Sequence, residues 1–255
     1  YLTTENISST LFIKKVIKQR GSLMTQQNPF QWEHPKALDY NDTIRRRILG
    51  YDIIFQLMAD LVQVSNPNPK KFLLVGAGGG QELCTFIPNF PNGHYVAVDP
   101  SENMLHLAKL RLAEEQLNAR VDYYTEELQN VVFQEKFDVA TCHLVLHFLQ
   151  TTEQKKSLIE AIAQNIAPGG MAFFSSINTE LDDANYEKIM EAWGIAMLRN
   201  GVTEKQWLAF KQSFGDTLIP IRTEELIELF EQAGFTNIKQ YFKAYYIEAF
   251  CMEKK

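Results

Sequence analysis

The chain has 255 residues, of which 45% are hydrophobic, enough to bury the core of one α/β domain with a helical addition. Its 25 basic and 31 acidic residues give a net charge of −6, a sign that disfavours broad contact with nucleic-acid phosphates. The three cysteines form no CxxC pair, and no apolar run reaches the roughly 18 residues of a membrane span. We therefore expect a cytoplasmic protein that binds neither membranes nor nucleic acid.

The N-terminal part is predicted to be a tail followed by helices. Residues 1–28, in which Met24 is a candidate start, form the predicted tail, and residues 29–66 form an N-terminal helical segment. The stretch TLFIKKVIKQRG in the tail carries basic residues among its apolar ones, which is not the pattern of a secretory signal. The arginine run at residues 45–47 is expected to be a solvated face.

From residue 67 onwards, strands and helices alternate at short intervals. Strands are predicted at 70–76, 93–99, 119–125, 136–144 and 171–177, and helices at 81–87, 101–118 and 153–166. Pro88 is predicted to end the first of these helices, and Ser101 is the predicted N-cap of the second. Such alternation is typical of βαβ units and of a mainly parallel sheet. Residues 67–177 are accordingly the predicted core.

The alternation stops after this core. Residues 178–221 are predicted to form a helical cap rich in large side chains. Residues 222–255 then complete the core with a helix at 222–234 and strands at 235–242 and 244–253. The pattern predicts an α/β fold with a doubly wound, mostly parallel, Rossmann-like sheet. Helices precede this sheet, and the cap follows its fifth strand.

The stretch LLVGAGGGQE, residues 73–82, ends the first predicted strand with four glycines in five positions. Glycine permits positive φ and close backbone approach, and the turn after the first strand is the usual ligand cradle of a doubly wound sheet. A plain strand-to-helix turn would need only one or two glycines. Gly76 and Gly78 fit the dinucleotide pattern GxGxxG, but its last position is Gln81, and the third glycine is Gly80. This GxGxG spacing disfavours NAD and FAD.

Asp99 ends the second predicted strand, 23 residues after Gly76. At this place an acidic side chain can accept hydrogen bonds from both hydroxyls of a ribose. The alternative role, capping the next helix, is already offered by Ser101. A dinucleotide, S-adenosylmethionine (SAM) and other nucleosides all carry such a ribose, so Asp99 alone does not choose among them.

Five segments resemble those of class I SAM-dependent methyltransferases in order and spacing: LLVGAGGGQEL, YVAVDPSENMLHLA, FDVATCHLVLHFL, IAPGGMAFFS and TEELIELFEQAGFTNIK. The resemblance covers roughly residues 35–255 and implies a seven-stranded sheet with SAM over its carboxyl edge. It assigns to SAM the following residues: Gly76, Ala77 and Gly78 at the methionine part, Asp99 at the ribose, Pro100 and Met104 beside the adenine, Glu127 and Leu128 at the adenine edge, and His143 or Cys142 near the sulfonium. Gly80, the third glycine of the loop, is also a predicted cofactor-binding residue. Glu126 is a rival of Glu127.

Leu74 departs from the family pattern, in which Asp or Glu usually stands at this position. By the resemblance, that carboxylate organises the glycine loop and faces the cationic end of the ligand. Its absence leaves a non-catalytic SAM- or nucleoside-binding protein as an alternative.

The segments YNDTIRRRILGYD and LRNGVTEKQW resemble two branches of the family. One branch comprises small-molecule methyltransferases, and the other comprises carboxy-SAM synthases, which use SAM and prephenate on the way to tRNA wobble modification. In the second branch Tyr51 would touch the cofactor, and an arginine would bind its extra carboxylate. That arginine position falls at Leu198, with Arg199 one residue late, so we expect methyl transfer from SAM to a small-molecule acceptor. The chain is a candidate for forming a homodimer.

His143 and His147 are spaced i,i+4 and could share a metal if both lay on one helix. There is no glutamate between them and no third ligand at motif spacing, so we expect no metal. The expected helix starts around His143. For an acceptor that carries a hydroxyl or a protonated amine, these histidines are the candidate catalytic bases.

Large side chains of the cap are candidates for the acceptor pocket. Trp193 and Met197 share a face of the helix that precedes NGV, and Arg199 follows two residues later. We expect these residues, with Tyr51 from the N-terminal helices, to line the acceptor site.

Overall fold

The structure, a computed structural model, describes residues 40–255. The predicted tail at residues 1–28, with Met24, and the first part of the N-terminal helical segment lie outside these residues. No single helix within residues 40–255 is long and apolar enough to cross a membrane, whereas Tyr40–Arg47 and Tyr51–Ser65 meet the criterion together across a bend of 92°. The division of the chain into five segments stays a prediction.

Eight α-helices and seven strands build the described part of the chain. The helices are α1 (Tyr40–Arg47), α2 (Tyr51–Ser65), α3 (Gln81–Asn89), α4 (Glu102–Glu114), α5 (Thr152–Asn165), α6 (Tyr186–Arg199), α7 (Glu204–Gln212) and α8 (Thr223–Gln232). The strands are β1 (Lys71–Val75), β2 (His94–Val98), β3 (Arg120–Tyr124), β4 (Phe137–His143), β5 (Ile166–Ile177), β6 (Phe235–Ala244) and β7 (Ile247–Lys254). Short 3₁₀ turns follow β3 at Leu128–Asn130 and β4 at Leu146–Phe148.

The strands form one sheet in the order β3-β2-β1-β4-β5-β7-β6. Strands β1 to β5 run parallel, and β7 is antiparallel to both β5 and β6. The strand order reverses between β1 and β4, where a doubly wound sheet opens its ligand crevice at the carboxyl ends. The predicted seven-stranded, mostly parallel, Rossmann-like sheet is confirmed.

Helices cover both faces of the sheet. Ile54 and Met58 of α2 belong to the core on one face, which also includes the side chains that α6 directs inward. Ile159 of α5 and Leu226 and Phe230 of α8 belong to the core on the other face. Burial on both faces explains why the central strands read as nearly continuous apolar runs.

Several predicted boundaries were wrong. Helix α3 continues through Pro88 to Asn89, because a proline in the last turn removes only one helical hydrogen bond. Helix α4 ends at Glu114 rather than at residue 118, because Gln116 has a φ of +56°, outside the range of a right-handed helix. Strand β5 begins at Ile166 rather than at residue 171, because Ile166 pairs with Phe137 of β4.

Candidate active site

The glycine loop, residues 76–80, connects β1 to α3 at the carboxyl edge of the sheet. Gly76, Gly78 and Gly80 all have positive φ values, of +66°, +48° and +79°. The backbone N–H groups of Gly76 and Ala77 donate to the carbonyl oxygen of Val98, at 2.8 and 3.2 Å. The loop is therefore folded back against the end of β2 in a conformation that L-residues adopt at a cost.

Two neighbouring segments approach this loop so closely that side chains there would collide. A Cβ atom at Gly76 would overlap Cγ2 of Val145, which follows β4, and one at Gly79 would overlap the side chain of Asn41 from α1. The Asn41 amide donates to the carbonyl oxygen of Gly79 at 3.1 Å. The absence of side chains at these glycines thus allows α1 and the segment after β4 to pack closely against the loop.

Asp99 links the second strand to the glycine loop. One oxygen of its carboxylate accepts a hydrogen bond from the N–H of Gly78 at 2.9 Å, and the other accepts one from the N–H of Ser101 at 2.9 Å. The Ser101 hydroxyl in turn accepts from the N–H of Met104, so its predicted role as N-cap of α4 is confirmed. A carboxylate can accept more than two hydrogen bonds, and the ribose role of Asp99 stays a prediction.

A cavity of about 470 Å³ opens at the carboxyl ends of β1, β2 and β4. Of the residues predicted to bind a cofactor, it is lined by Gly76, Gly78, Asp99, Pro100, Met104, Glu127, Leu128 and His143. The rival Glu126 lines it as well. The sequence analysis did not identify Tyr40 of α1, Val145, Phe148, or Glu153 and Ser157 of α5 as lining residues. A signal for the α5 residues was present, since the capping box of Thr151 and Gln154 fixes the start of α5 beside the end of β4.

Other predicted cofactor residues lie behind the cavity wall. Ala77 and Cys142 are buried in the core, Gly80 packs against Ala108 of α4, and Tyr51 is buried at the start of α2. None of these four predicted residues lines the cavity.

The electrostatic character of the cavity is acidic. Asp99, Glu126, Glu127 and Glu153 line it, whereas no lysine or arginine within residues 40–255 does. Apolar walls come from Val98, Met104 and Leu128 among others. Such a site suits a ligand that combines an aromatic ring system with positive charge.

His143 ends β4 and contributes to the cavity wall. Its Nδ1 lies 2.9 Å from the Ser175 hydroxyl and its Nε2 lies 3.1 Å from the sulfur of Met58. Burial lowers the pKa of His143 to about 3, so the ring is neutral and a weak base at pH 7.

His147 lies outside the cavity, in the 3₁₀ turn after β4. Its Nδ1 accepts a hydrogen bond from the N–H of Ile177, and burial, assisted by Lys155, lowers the pKa of His147 to about 3. The prediction that a helix starts at His143 was wrong, because β4 extends to this residue and the chain then turns with a positive φ at Leu144. No group of three metal-ligating side chains occurs within residues 40–255. The catalytic role of the two histidines stays a prediction.

The predicted acceptor-pocket residues do not line this cavity. Trp193 and Met197 are each 1% exposed and belong to the core under the cap, where the indole N–H of Trp193 donates to the carbonyl oxygen of Arg47 at 2.8 Å. Arg199 is exposed at the end of α6. Their pocket role stays a prediction.

Arg45, in the predicted solvated arginine face, is partly exposed and also makes specific contacts. Its guanidinium pairs with Asp52 of α2 at 2.9 Å and donates to Oε1 of Gln81 at 2.7 Å. Arg111 of α4 donates to the same oxygen at 2.8 Å. Arg45 thereby joins α1 to the helix that follows the glycine loop.

Comparison with known proteins finds a family that matches part of the chain. The family described as "Methyltransferase domain" matches residues 73–172, from the glycine loop into β5. These residues match a methyltransferase domain, and the relatives described below support a class I SAM-dependent methyltransferase.

Relatives of two kinds are similar to this chain. A carboxy-S-adenosyl-L-methionine synthase from Trichodesmium erythraeum is 28% identical over 61% of this chain and 60% of its own length. A second such synthase, from Wolinella succinogenes, is 22% identical over 88% of this chain and 94% of its own. A ubiquinone biosynthesis O-methyltransferase from Aromatoleum aromaticum is 32% identical over 43% of this chain and 44% of its own.

Among solved structures, the methyltransferase is similar to a putative O-methyltransferase from Nostoc punctiforme. The two share a TM-score of 0.66 and 16% identity, over 94% of this chain and 67% of that one. This likeness supports the fold. The match to a methyltransferase domain and the carboxy-SAM synthase relatives imply SAM as the cofactor. The acidic cavity with its apolar walls fits an adenosine that carries a cationic side chain.

Proposed function

We propose that this methyltransferase transfers a methyl group from SAM to a small-molecule acceptor. The observation that carries the proposal is the acidic cavity at the β1, β2 and β4 edge, which offers carboxylates and no basic side chain within residues 40–255. When bound, SAM supplies an activated methyl group: its bond to sulfur breaks as the bond to the acceptor forms, and S-adenosylhomocysteine (SAH) leaves. The protein's own task is to bind SAM and the acceptor, to orient them towards each other and to exclude water from the site.

The residues of the cavity divide this task among them. In this proposal Asp99 binds the ribose, and its hydrogen bond from the Gly78 N–H couples ribose binding to the shape of the glycine loop. Met104 and Leu128 offer apolar surface to the adenine, and Glu127 offers an acceptor for the adenine amino group. Each assignment follows the family resemblance and is supported by a position on the cavity wall.

The buried histidine limits the acceptor chemistry. With a pKa of about 3, His143 is a poor proton acceptor at pH 7, and its ring nitrogens already face Ser175 and Met58. An acceptor that is already deprotonated at its nucleophilic atom, or that loses its proton to water, fits this site best.

Calorimetric titration with SAM and SAH tests the proposal. Wild-type protein should bind both compounds, and Asp99→Ala should weaken binding by about 1–3 kcal/mol, the range for removing a partner of buried hydrogen bonds. Asp60→Ala, at an exposed position of α2, is the matched control and should leave affinity unchanged. Absence of SAM and SAH binding, or a preference for NAD, would refute the proposal.

A carboxy-SAM synthase activity is the second candidate, favoured by the Wolinella relative that matches most of the chain. Such an activity requires a cation for the extra carboxylate of the product. Arg199 is exposed at the end of α6, and the cavity has no basic lining residue within residues 40–255. This geometry favours methyl transfer.

Mass spectrometry of the ligand carried by purified protein separates the two candidates. Methyl transfer predicts SAM or SAH without an additional carboxylate. Carboxy-SAM in the preparation, or its formation from SAM and prephenate, would establish the second candidate instead.

A further inference from the structure

His147 is a buried imidazole that the proposed function does not use. It is 4% exposed and lies in the Leu146–Phe148 turn, and its own side chain does not line the ligand cavity. Its neighbours in the same segment do, since Val145, Phe148 and Leu149 all contribute to the cavity wall. His147 therefore lies behind a part of the wall that its own segment builds.

The ring of His147 is held in one orientation by the end of β5. Its Nδ1 accepts a hydrogen bond at 3.3 Å from the backbone N–H of Ile177, the last residue of that strand. Only a neutral imidazole has a nitrogen that can accept, and a neutral ring that accepts at Nδ1 carries its proton on Nε2. Burial and, as a smaller cause, Lys155 keep the ring neutral by lowering the pKa of His147 to about 3.

The same ring supports the cavity wall by direct contact. The centroids of the His147 and Phe148 rings lie 4.5 Å apart, at an interplanar angle of 47°. At the start of the turn, Val145 packs so closely against the glycine loop that its Cγ2 would overlap a Cβ atom at Gly76. The position of the turn thus sets the positions of two side chains that line the cavity.

The backbone of the turn is joined to the cap. The carbonyl oxygen of His147 accepts a hydrogen bond at 2.8 Å from the N–H of Ile219, which lies in the cap return segment, residues 213–221, between α7 and α8. The side-chain amide of Gln150 donates to the carbonyl oxygen of Phe148 at 3.1 Å and reaches that of Thr217, in the same segment, at 3.5 Å. The cavity wall, β5 and the cap return segment therefore meet at His147.

A buried lysine supports the end of the turn. Lys155 of α5 is 2% exposed, and its ammonium group donates to the carbonyl oxygen of Leu149. A buried cation needs such an acceptor, because its removal from water is costly. This bond fixes the residue that follows the turn, whereas the turn itself is fixed by the contacts of His147.

We propose that His147 is a positioning residue for the methyl donor. Its ring holds the turn against the end of β5, and the turn places Val145 and Phe148 in the cavity wall. In this role His147 acts through these two side chains rather than as the catalytic base predicted from the sequence. The inference rests on the proposed function, because the ligand that this wall receives is the methyl donor.

Calorimetric titration of SAH into two variants of His147 tests the role of its acceptor. His147→Asn keeps an acceptor, because Oδ1 of asparagine, like Nδ1 of histidine, is bonded to Cγ and can receive the Ile177 N–H. His147→Leu has no acceptor and leaves this N–H, on a residue that is 2% exposed, without a partner. We expect His147→Leu to weaken SAH binding by about tenfold or more, and His147→Asn to stay within about threefold of wild type.

A matched core variant separates positioning from a general loss of stability. Phe235→Leu, in β6, changes a side chain that is 1% exposed and does not line the cavity. It should lower the melting temperature and leave the affinity for SAH within about twofold of wild type, whereas His147→Leu should lower both. All affinities are measured at a temperature at which circular dichroism shows each variant to be folded.

Hydrogen exchange in the wild-type protein gives a measurement that does not depend on how a variant folds. Neither Ile177 nor Ile219 lines the cavity, and their N–H groups donate to the ring and to the carbonyl oxygen of His147. If the turn connects them to the ligand, saturation with SAH should slow exchange at both amides. The slowing should exceed by about threefold or more that at Phe230, a buried residue of α8 that reports stabilisation of the whole fold.

The outcomes distinguish this inference from the proposed function. If His147→Leu binds SAH with wild-type affinity, or if His147→Asn loses as much affinity as His147→Leu, the inference is overturned while methyl transfer stands. Equal slowing of exchange at Ile177, Ile219 and Phe230 overturns it as well, and this measurement alone decides if His147→Leu does not fold. If wild-type protein binds neither SAM nor SAH, the proposed function fails, and the inference fails with it.

Discussion

Replacement of Gly76 by alanine tests whether the glycine loop is shaped by the backbone conformation and the close neighbour seen in the structure. The φ of +66° places an L-residue in the left-handed region, at a cost of about 1–2 kcal/mol. The new Cβ would also overlap Cγ2 of Val145, and overpacking of this kind costs about 1–3 kcal/mol. The two costs together lower the free energy of unfolding by about 2–5 kcal/mol, or the melting temperature by roughly 4–20 °C at this chain length.

A control variant separates these two costs. Gly201 has a φ of +86° and no atom within 4 Å of the position of an added Cβ, so Gly201→Ala carries the backbone cost alone, about 1–2 kcal/mol. In the pair Gly76→Ala with Val145→Ala, the overlap is removed and the backbone cost stays. A double-mutant cycle, measured by urea unfolding, should therefore show a favourable coupling of about 1–3 kcal/mol.

Two results would refute this reasoning. The first is a Gly76→Ala variant no less stable than Gly201→Ala, which would mean that Val145 does not press on the loop. The second is a coupling energy near zero, which would mean that the overlap is relieved by movement elsewhere.

Two further predictions concern the buried aromatic and imidazole side chains. Trp193→Ala should lower the free energy of unfolding by about 3–5 kcal/mol, because the indole is buried in the core and donates a hydrogen bond to the Arg47 carbonyl oxygen. The affinity for SAH, measured by calorimetry, should stay within about threefold of wild type. A large loss of SAH affinity with unchanged stability would contradict this prediction. For His143 and His147 the folded pKa values lie below the unfolded one, so the unfolded chain binds more protons and the free energy of unfolding should fall as the pH drops from about 6.5 towards 3. Urea unfolding at a series of pH values measures this slope, and the pair of variants His143→Asn with His147→Asn should flatten it; an unchanged slope would contradict the assignment.

The sheet was predictable because its strands are short apolar runs between clear turn signals. The run KFLLV is followed by a glycine, and HYVAV is followed by Asp99, so the local sequence predicts both strand ends. The N-cap role of Ser101 was predictable for the same reason, since a cap depends on residues within one turn. The positions of Gly76 and Asp99 at one cavity follow from the rule that parallel strands bring their carboxyl ends to one edge.

The features that the sequence did not predict depend on contacts between distant segments. The i,i+4 spacing of His143 and His147 suggested one helix, but pairing of β4 with β5 holds His143 in a strand. An arginine in an exposed-looking run becomes part of a bonded network only because α1 lies over the glycine loop, where Arg45 reaches Gln81.

Glu82 is the clearest case of this limit. A glutamate in the first turn of a helix is ordinarily a solvated residue that favours the positive end of the helix dipole. In the structure it is buried, and Tyr40 and Tyr51, from helices that precede the sheet in the chain, are electrostatically coupled to it. Packing between segments that are distant in the chain cannot be predicted from the local sequence.

The most direct test of methyl transfer uses SAM with a trideuterated methyl group. The purified protein is incubated with this SAM and a protein-free extract of small molecules, and the products are followed by mass spectrometry. We predict that SAH appears together with a small molecule that has gained the deuterated methyl group, and that Asp99→Ala forms much less of both. No SAH above the level formed by Asp99→Ala, or conversion of SAM to a carboxylated product, would contradict methyl transfer to a small-molecule acceptor.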